Sequence, residues 1–305
     1  MKQTFYSNGK LLITGEYLVL DGAKAFALPT KFGQSLIVEQ GINKQINWIS
    51  YDNDGSVWFE NTIPFAVIIN PSPSEKESVQ STLITILHQA YLLNPKFIND
   101  SNGYKVMTKL SFPRQWGLGT SSTLINNIAQ WTQVNAFTLL DTSFGGSGYD
   151  IACAQNNTPI VYQILNEKPT VQPVSFAPTF TKNIYFVYLN KKQNSKAAIN
   201  TYQNNKTSQL SKNISTINHI TAEILQAITF DQFSNAIHKH EATMSHTLET
   251  STIKESMFSD FDGQIKSLGA WGGDFVMALS ETDPKDYFQS KGFETILSYD
   301  QMILQ

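Results

Sequence analysis

Arginine is almost absent from this chain: Arg114 is the single arginine among 22 basic residues. A surface built to read nucleic-acid phosphates or base edges leans on the planar, bidentate guanidinium. Charge of either sign is scarce as well. Only 15% of the 305 residues are charged, the formal net charge is −3 and the pI is about 6.0. No basic excess is present to hold nucleic acid or an anionic membrane surface. A single cysteine, Cys153, excludes an internal disulfide and any multi-cysteine metal cluster. The five histidines (His88, His219, His238, His240 and His246) form no HExxH pair. No apolar run reaches bilayer length, and the first ten residues lack the apolar stretch of a signal peptide. A cytoplasmic protein is expected.

What is present is enough apolar material for a large core: 41% hydrophobic and 12% aromatic residues. The length suits one large domain or two intimate ones. Residues 10–20 read as two apolar runs around Gly15-Glu16, a hairpin or bent strand pair. Further short strands are predicted at 34–40, 46–51, 56–60 and 65–69. A helix follows over 74–93, then a strand over 104–110, then a glycine-bearing loop over 113–119 and a helix from about Thr120 to Phe137 with Leu124, Ile128 and Trp131 on its apolar face. A second glycine-rich turn, Gly145–Gly148, opens a short helix through Gln155. Strands are predicted at 160–163 and 184–189, mostly helix from 196 to 266, then strand, glycine turn and strand over 267–279. A helix (284–291) and a strand (293–298) complete the pattern. Pro169, Pro173 and Pro178 mark a division near 165–182. The expected class is α+β in two tightly joined lobes, 1–165 and 166–305.

The strongest chemical signal is Pro113-Arg-Gln-Trp-Gly-Leu-Gly-Thr-Ser-Ser-Thr123 running straight into a helix. Gly117 and Gly119 let the backbone approach a ligand closely. The helix start offers unpaired N–H groups and the positive end of a dipole, a setting for phosphate. Thr120, Ser121, Ser122 and Thr123 add hydroxyls for phosphate oxygens or a magnesium ion. Taken alone the segment is equally an ordinary loop with a Ser/Thr cap. It lacks the GK[ST] of a Walker A loop, the third glycine of the dinucleotide fingerprint, and the HRD and DFG of protein kinases.

Four segments in order resemble the motifs of the galactokinase–homoserine kinase–mevalonate kinase–phosphomevalonate kinase (GHMP) superfamily. Residues 8–22, Asn-Gly-Lys-Leu-Leu-Ile-Thr-Gly-Glu-Tyr and onward, resemble its first motif, and 117–123 its GLGSSA loop. Gly145-Gly-Ser-Gly-Tyr-Asp-Ile-Ala152 is similar to its SG-(aromatic)-D segment and to the GYDIA sequence of a bacterial subgroup. Lys266-Ser-Leu-Gly-Ala-Trp-Gly-Gly-Asp274 resembles its third motif. The resemblance implies a GHMP fold, with an N-terminal mixed lobe like domain 2 of ribosomal protein S5 and a C-terminal ferredoxin-like α+β lobe. It implies ATP and magnesium as cofactors and a small-molecule substrate, without nucleic acid or membrane partners, and allows a homodimer. Asp150 would be the general base and Lys10 the stabiliser of charge. Gly117, Leu118, Gly119, Thr120, Ser121 and Ser122 would bind the nucleotide, with Ser121 on the metal. Glu16, Tyr17, Ser147, Lys196, Gly272 and Gly273 would line the substrate.

Other readings of the same residues stay open. Ser147 to Asp150 fits a capping box. Lys10 fits a solvated charge at a strand start, and Glu16 a brace for the Gly15 turn. His238 and His240 fit surface or packing positions on a helix, and Cys153 a small core residue. The chain also departs from the family pattern. Trp271 stands where the third motif has glycine, so it must point out of the site or narrow it. Leu139 stands where mevalonate kinases carry a magnesium-binding Glu, with Asp141 the nearest acid upstream of Asp150. Glu16-Tyr17 and the missing Glu favour phosphomevalonate as acceptor, mevalonate second. A phosphorylated substrate would need cations, for which Lys191, Lys192, Lys196 and Arg114 are candidates. A diphosphomevalonate-type decarboxylase and a silent nucleotide-binding homologue are the alternatives.

Overall fold

The computed structural model describes residues 2–72, 78–191, 195–204, 209–269, 271 and 273–305, with residues 195–198 and 201 described by their backbone. It divides into two compact units, Met1–Gly9 with Phe32–Arg114 and Leu118–Gln155, and Lys10–Lys31 with Gln115–Gly117 and Asn156–Gln305. Strand β1 (Lys2–Leu12) and the long strand β2 (Ala25–Gln40) pair with each other and run through both.

In the first unit β3 (Gln45–Tyr51) pairs antiparallel with β4 (Val57–Pro64) and parallel with β5 (Tyr104–Leu110), and β5 pairs antiparallel with the second half of β2. Residues 65–69 were expected as a strand and instead form helix α1 (Phe65–Ile69), entered from the extended Pro64. A five-residue apolar run carries no period that separates the two forms. Helix α2 (Val79–Leu93) starts at a capping box on Ser78; part of the helix expected over 74–93 lies outside the described residues. Helix α3 (Lys96–Asn99) follows. The helix expected to run to Phe137 is two helices, α4 (Thr120–Thr132) and α5 (Ala136–Ser143). Gln133 adopts a left-handed conformation, and Asn135 caps α5 by accepting the N–H groups of Phe137 and Thr138. Helix α6 (Tyr149–Gln155) follows the Gly145–Gly148 turn. Trp48, Leu87, Ile125, Ile128, Leu139 and Ile151 share one buried core in this unit.

In the second unit the first half of β2 pairs with β6 (Ile160–Leu165), and β6 with the edge strand β7 (Lys168–Pro173), hidden in the sequence by Pro169 and Pro173 within it. A separate antiparallel sheet runs β11 (Ile296–Ser298), β8 (Ile184–Tyr188), β10 (Phe275–Leu279), β9 (Gln264–Ser267). The helices are α7 (Ser195–Asn204), α8 (Leu210–Gln226), α9 (Phe230–Leu248), α10 (Ile253–Met257), α11 (Lys285–Ser290) and α12 (Tyr299–Met302). Residues 10–20 are no hairpin: β1 ends at Leu12 and a short 3-10 turn covers Leu18–Asp21. The result is the expected mixture of α and β, with one mixed sheet and one antiparallel sheet. No helix among the described residues is long and apolar enough to cross a membrane.

Candidate active site

The glycine loop ends in the first unit. Leu118 is fully buried and anchors it. Gly119 is the N-cap of α4 with φ 96°, and no side chain caps this helix start. A residue with a Cβ resists that left-handed conformation. The first-turn N–H groups of α4 are therefore offered without a side-chain acceptor, at the positive end of a helix of 13 residues. The hydroxyls around them differ. Ser122 Oγ donates to Gly119 O at 2.9 Å, and Thr123 Oγ1 donates to Gln34 Oε1 at 2.8 Å. Ser121 is exposed, and its hydroxyl and that of Thr120 donate no hydrogen bond among the described residues.

Buried polar contacts seat α4 on the sheet. Asn127 accepts from Ser7 Oγ at 2.8 Å and donates to Gln34 O at 2.9 Å, and Asn126 Nδ2 donates to Ser7 Oγ at 2.8 Å. Ser7, Gln34, Thr123, Asn126 and Asn127 are all buried, and such groups are costly to leave unpaired, so the network fixes one rotation and height of the helix. The expected apolar face understated this. Leu124 is only partly buried, while Asn126 and Asn127 point inward. Helix α6 packs on α4: Gln155 Nε2 donates to Asn126 Oδ1 at 3.0 Å, and Ile151 enters the core that holds Ile125 and Ile128. Asp150, half-buried in the first turn of α6, and Ser147 just before it thus share a unit with Leu118–Ser122.

The second unit gathers Lys10, Glu16, Tyr17, Gly117 and Gly273. Lys10 lies in the buried last part of β1 at 8% exposure, not at a solvated strand start. Gly117, at φ 68°, lies against Asp274, the last residue of the third motif: a Cβ there would stand 2.3–2.7 Å from the Asp274 carboxylate atoms. Asp274 itself has φ 53°, a conformation non-glycine residues adopt at a cost, often at functional sites. Gly117→Ala is expected to cost about 1–3 kcal/mol through this clash and the positive φ, read as a lower urea midpoint. An unchanged midpoint would show that the carboxylate swings away freely. Trp271 N–H donates to Tyr17 Oη at 3.2 Å, and its indole Nε1 donates to Ser251 O at 3.3 Å. Burial pushes the Tyr17 phenol up to about 12, so it stays protonated at neutral pH.

Glu16 is 1% exposed and belongs to a cluster that residue-by-residue reading of the sequence missed. Lys266 Nζ donates to Glu16 Oε1, and to Glu241 Oε1 at 3.2 Å. His240 Nε2 is 3.1 Å from Glu16 Oε2. His240, expected at a surface or packing position, is fully buried. The available signal was that residues 240 and 241 continue the apolar stripe of Phe233, Ile237 and Met244 on α9. Burial alone would raise the Glu16 carboxyl, but Lys266 and His240 outweigh it and hold the group below the ordinary carboxylate range. A depressed carboxyl contributes stability above its unfolded pKa and loses it as pH falls. Wild type is therefore expected to lose stability on acidification through the carboxylate range more steeply than Glu16→Gln, measured by urea denaturation at stepped pH. Parallel curves would contradict this.

The remaining candidates fall elsewhere. Arg114 is engaged in the first unit, its Nε 3.5 Å from Asp52 and its guanidinium over Trp58. Lys191 is exposed, and its carbonyl accepts the Asp274 N–H at 2.7 Å. Lys196 lies on α7 with its side chain outside the described residues, as do Lys192 and Gly272 entirely. Leu139 is core, Asp141 is exposed, and Cys153 is fully buried as read. His238 is at the surface, 2.7 Å from Gln264 Nε2.

No family profile matches the chain, and no curated protein does either. Solved structures do. Methanococcus jannaschii mevalonate kinase is similar at 14% identity and a TM-score of 0.71, over 100% of this chain and 99% of that one. Streptococcus pneumoniae phosphomevalonate kinase, solved with phosphomevalonate and AMPPNP, is similar at 15% and 0.69, over 97% and 99%. Lactococcus lactis galactokinase, solved with galactose, is similar at 13% and 0.67, over 100% and 95%. Over its full length, then, this chain has the fold shared by mevalonate kinase, phosphomevalonate kinase and galactokinase, which is the GHMP kinase fold.

Proposed function

We propose that this chain is an ATP-dependent kinase of the GHMP superfamily that transfers a γ-phosphoryl group to an isoprenoid-pathway acid, phosphomevalonate first and mevalonate second. The observation that carries the reading is the uncapped start of α4 after Gly119, in a chain with the fold of small-molecule kinases. Phosphoryl transfer asks mainly for positioning and charge neutralisation. The Thr120, Ser121 and Ser122 amides suit the nucleotide phosphates. The free hydroxyl of Ser121 suits magnesium, a hard cation that takes oxygen donors and shares them with substrate phosphates; among the described residues no group of three His, Cys, Asp or Glu side chains competes for that role. When bound, the metal supplies neutralisation of phosphate charge. Asp150 is assigned to accept the acceptor's proton and Lys10 to balance charge on the transferred group. Ser147, Tyr17, Lys196, Gly272 and Gly273 are assigned to the acceptor side; Glu16, 1% exposed among Lys266 and His240, is left to support Tyr17. Leu139, buried in the core, offers no second metal carboxylate, which together with Tyr17 favours phosphomevalonate. Product identification by phosphorus NMR tests the acceptor. The expected product is a diphosphate formed from phosphomevalonate, with kcat/KM higher than for mevalonate. Preference for mevalonate, or release of carbon dioxide with ADP, would overturn the assignment.

A further inference from the structure

The Glu16–Lys266–Glu241–His240 cluster does more than fill the interior. Two carboxylates meet one ammonium there, and His240 is the other group in the cluster able to carry positive charge. The four side chains are at most 5% exposed. Replacing such a buried ionic set by well-packed apolar residues is often neutral or stabilising, so stability alone does not call for it.

Its neighbours on both sides are unusual. Glu16 leads into Tyr17, whose backbone stands at φ 57° and ψ −49°, closed by Leu18 N–H donating to Glu16 O at 2.5 Å. This is a γ-turn of the positive-φ kind, rare and strained for a residue with a side chain. Strain of this sort persists only where surrounding contacts fix it. On one flank Leu18 and Val19 are buried; on the other, Lys266 Nζ donates to the Glu16 carboxylate, and Gly15 N–H donates to His240 Nε2 at 3.4 Å. Lys266 and Ser267 end β9, where Lys266 Nζ donates to Ser267 O at 2.9 Å and Ser267 N–H donates to Glu241 Oε2 at 3.1 Å. The segment that follows returns Trp271 N–H to Tyr17 Oη and brings Asp274 against Gly117.

We propose that this cluster is a positioning device that locks the Gly15–Tyr17 turn to the end of β9, and so fixes Tyr17 and the Asp274–Gly117 contact from which the phosphate loop departs. The catalytic part of the inference rests on the kinase reading above. Glu16, Lys266, His240 and Glu241 act through Tyr17, Asp274 and Gly117 and touch no reacting atom.

The test is the Glu16→Gln/Lys266→Met double variant, which removes one charge of each sign at similar volume and leaves Glu241 its Ser267 N–H. Three quantities are compared with wild type: the urea midpoint, hydrogen–deuterium exchange of peptides spanning 12–22 and 264–275 without ligand, and steady-state kinetics. The expected result is a midpoint lowered by less than in Lys266→Met, since only Glu241 is left without its cation, exchange in both peptides raised by about tenfold relative to the rest of the chain, and kcat lowered by about 10²-fold with KM less affected. Exchange in both peptides unchanged relative to the rest of the chain overturns the proposal and leaves the cluster a plain stabiliser. If wild type shows no turnover yet the two peptides loosen together in the double variant, the lock stands and the kinase reading falls. Should the double variant not fold, Glu241→Gln replaces it: it keeps the Glu16–Lys266 pair and weakens the grip of residue 241 on Ser267 N–H and Lys266 Nζ at the end of β9. About tenfold faster exchange in 264–275 is then expected, and unaltered exchange overturns the proposal.

Discussion

Asp150→Asn is expected to lower kcat by about 10²- to 10⁴-fold while the urea midpoint stays near wild type. Asparagine matches aspartate in volume and can accept hydrogen bonds in the first turn of a helix, so α6 and its packing on α4 should survive the change. What the amide loses is the ability to take a proton. In phosphoryl transfer the acceptor oxygen becomes more acidic as the bond to phosphorus forms, and a carboxylate within reach is then a competent sink. Asp150 is half-buried at the start of α6, one residue before Ile151, which lies in the same core as Ile125 and Ile128 of α4. A kcat unchanged within a factor of two would remove Asp150 from the chemistry, whatever the fate of the rest of the assignment.

Lys266→Met is expected to have the largest effect on stability, about 3–5 kcal/mol. Methionine fills the volume but leaves Glu16 and Glu241 facing each other in a dry interior. Burial pulls the Lys266 ammonium down, and the two carboxylates more than reverse that, holding it above its ordinary value. A raised ammonium contributes its full stability below the unfolded pKa and loses it only as pH rises through the folded one. At neutral pH, therefore, the whole contribution is present and the whole of it is removed. Marginal domains hold roughly 5–15 kcal/mol in total, so the variant should unfold at a much lower urea concentration and accumulate poorly. A wild-type midpoint would mean that water reaches the cluster and screens it.

The contrast between these two sites shows what the sequence disclosed. The glycine loop and the helix after it were legible because their signals are local: Gly117, Gly119 and the hydroxyls that follow are near neighbours in sequence, and the α4 start they predict is the one observed. Strand β5 was legible because Tyr104–Leu110 alternates buried and exposed positions with the period of a half-buried strand. The α4–α5 break was written in Asn135, a cap read over because the apolar spacing continues through it. The second-unit cluster was not legible in the same way. Lys266 and Glu16 are 250 residues apart, and a buried charge looks like a surface charge until its partner is known. The inward-facing Asn126 and Asn127 were hidden for the same reason: hydropathy marks them as solvent-facing, and only their bonds to Ser7 and Gln34 make burial tolerable. The γ-turn at Tyr17 had no residue-type signal, since tyrosine ordinarily avoids positive φ.

Acceptor-dependent ADP release from magnesium-ATP by the purified wild-type protein tests the central claim most directly, run across mevalonate, phosphomevalonate, homoserine, sugars and shikimate. Turnover with an acid of the mevalonate series, phosphomevalonate fastest, and near-loss of that turnover in Asp150→Asn is the predicted result. A folded protein that releases no ADP above background with any acceptor in the panel would contradict it.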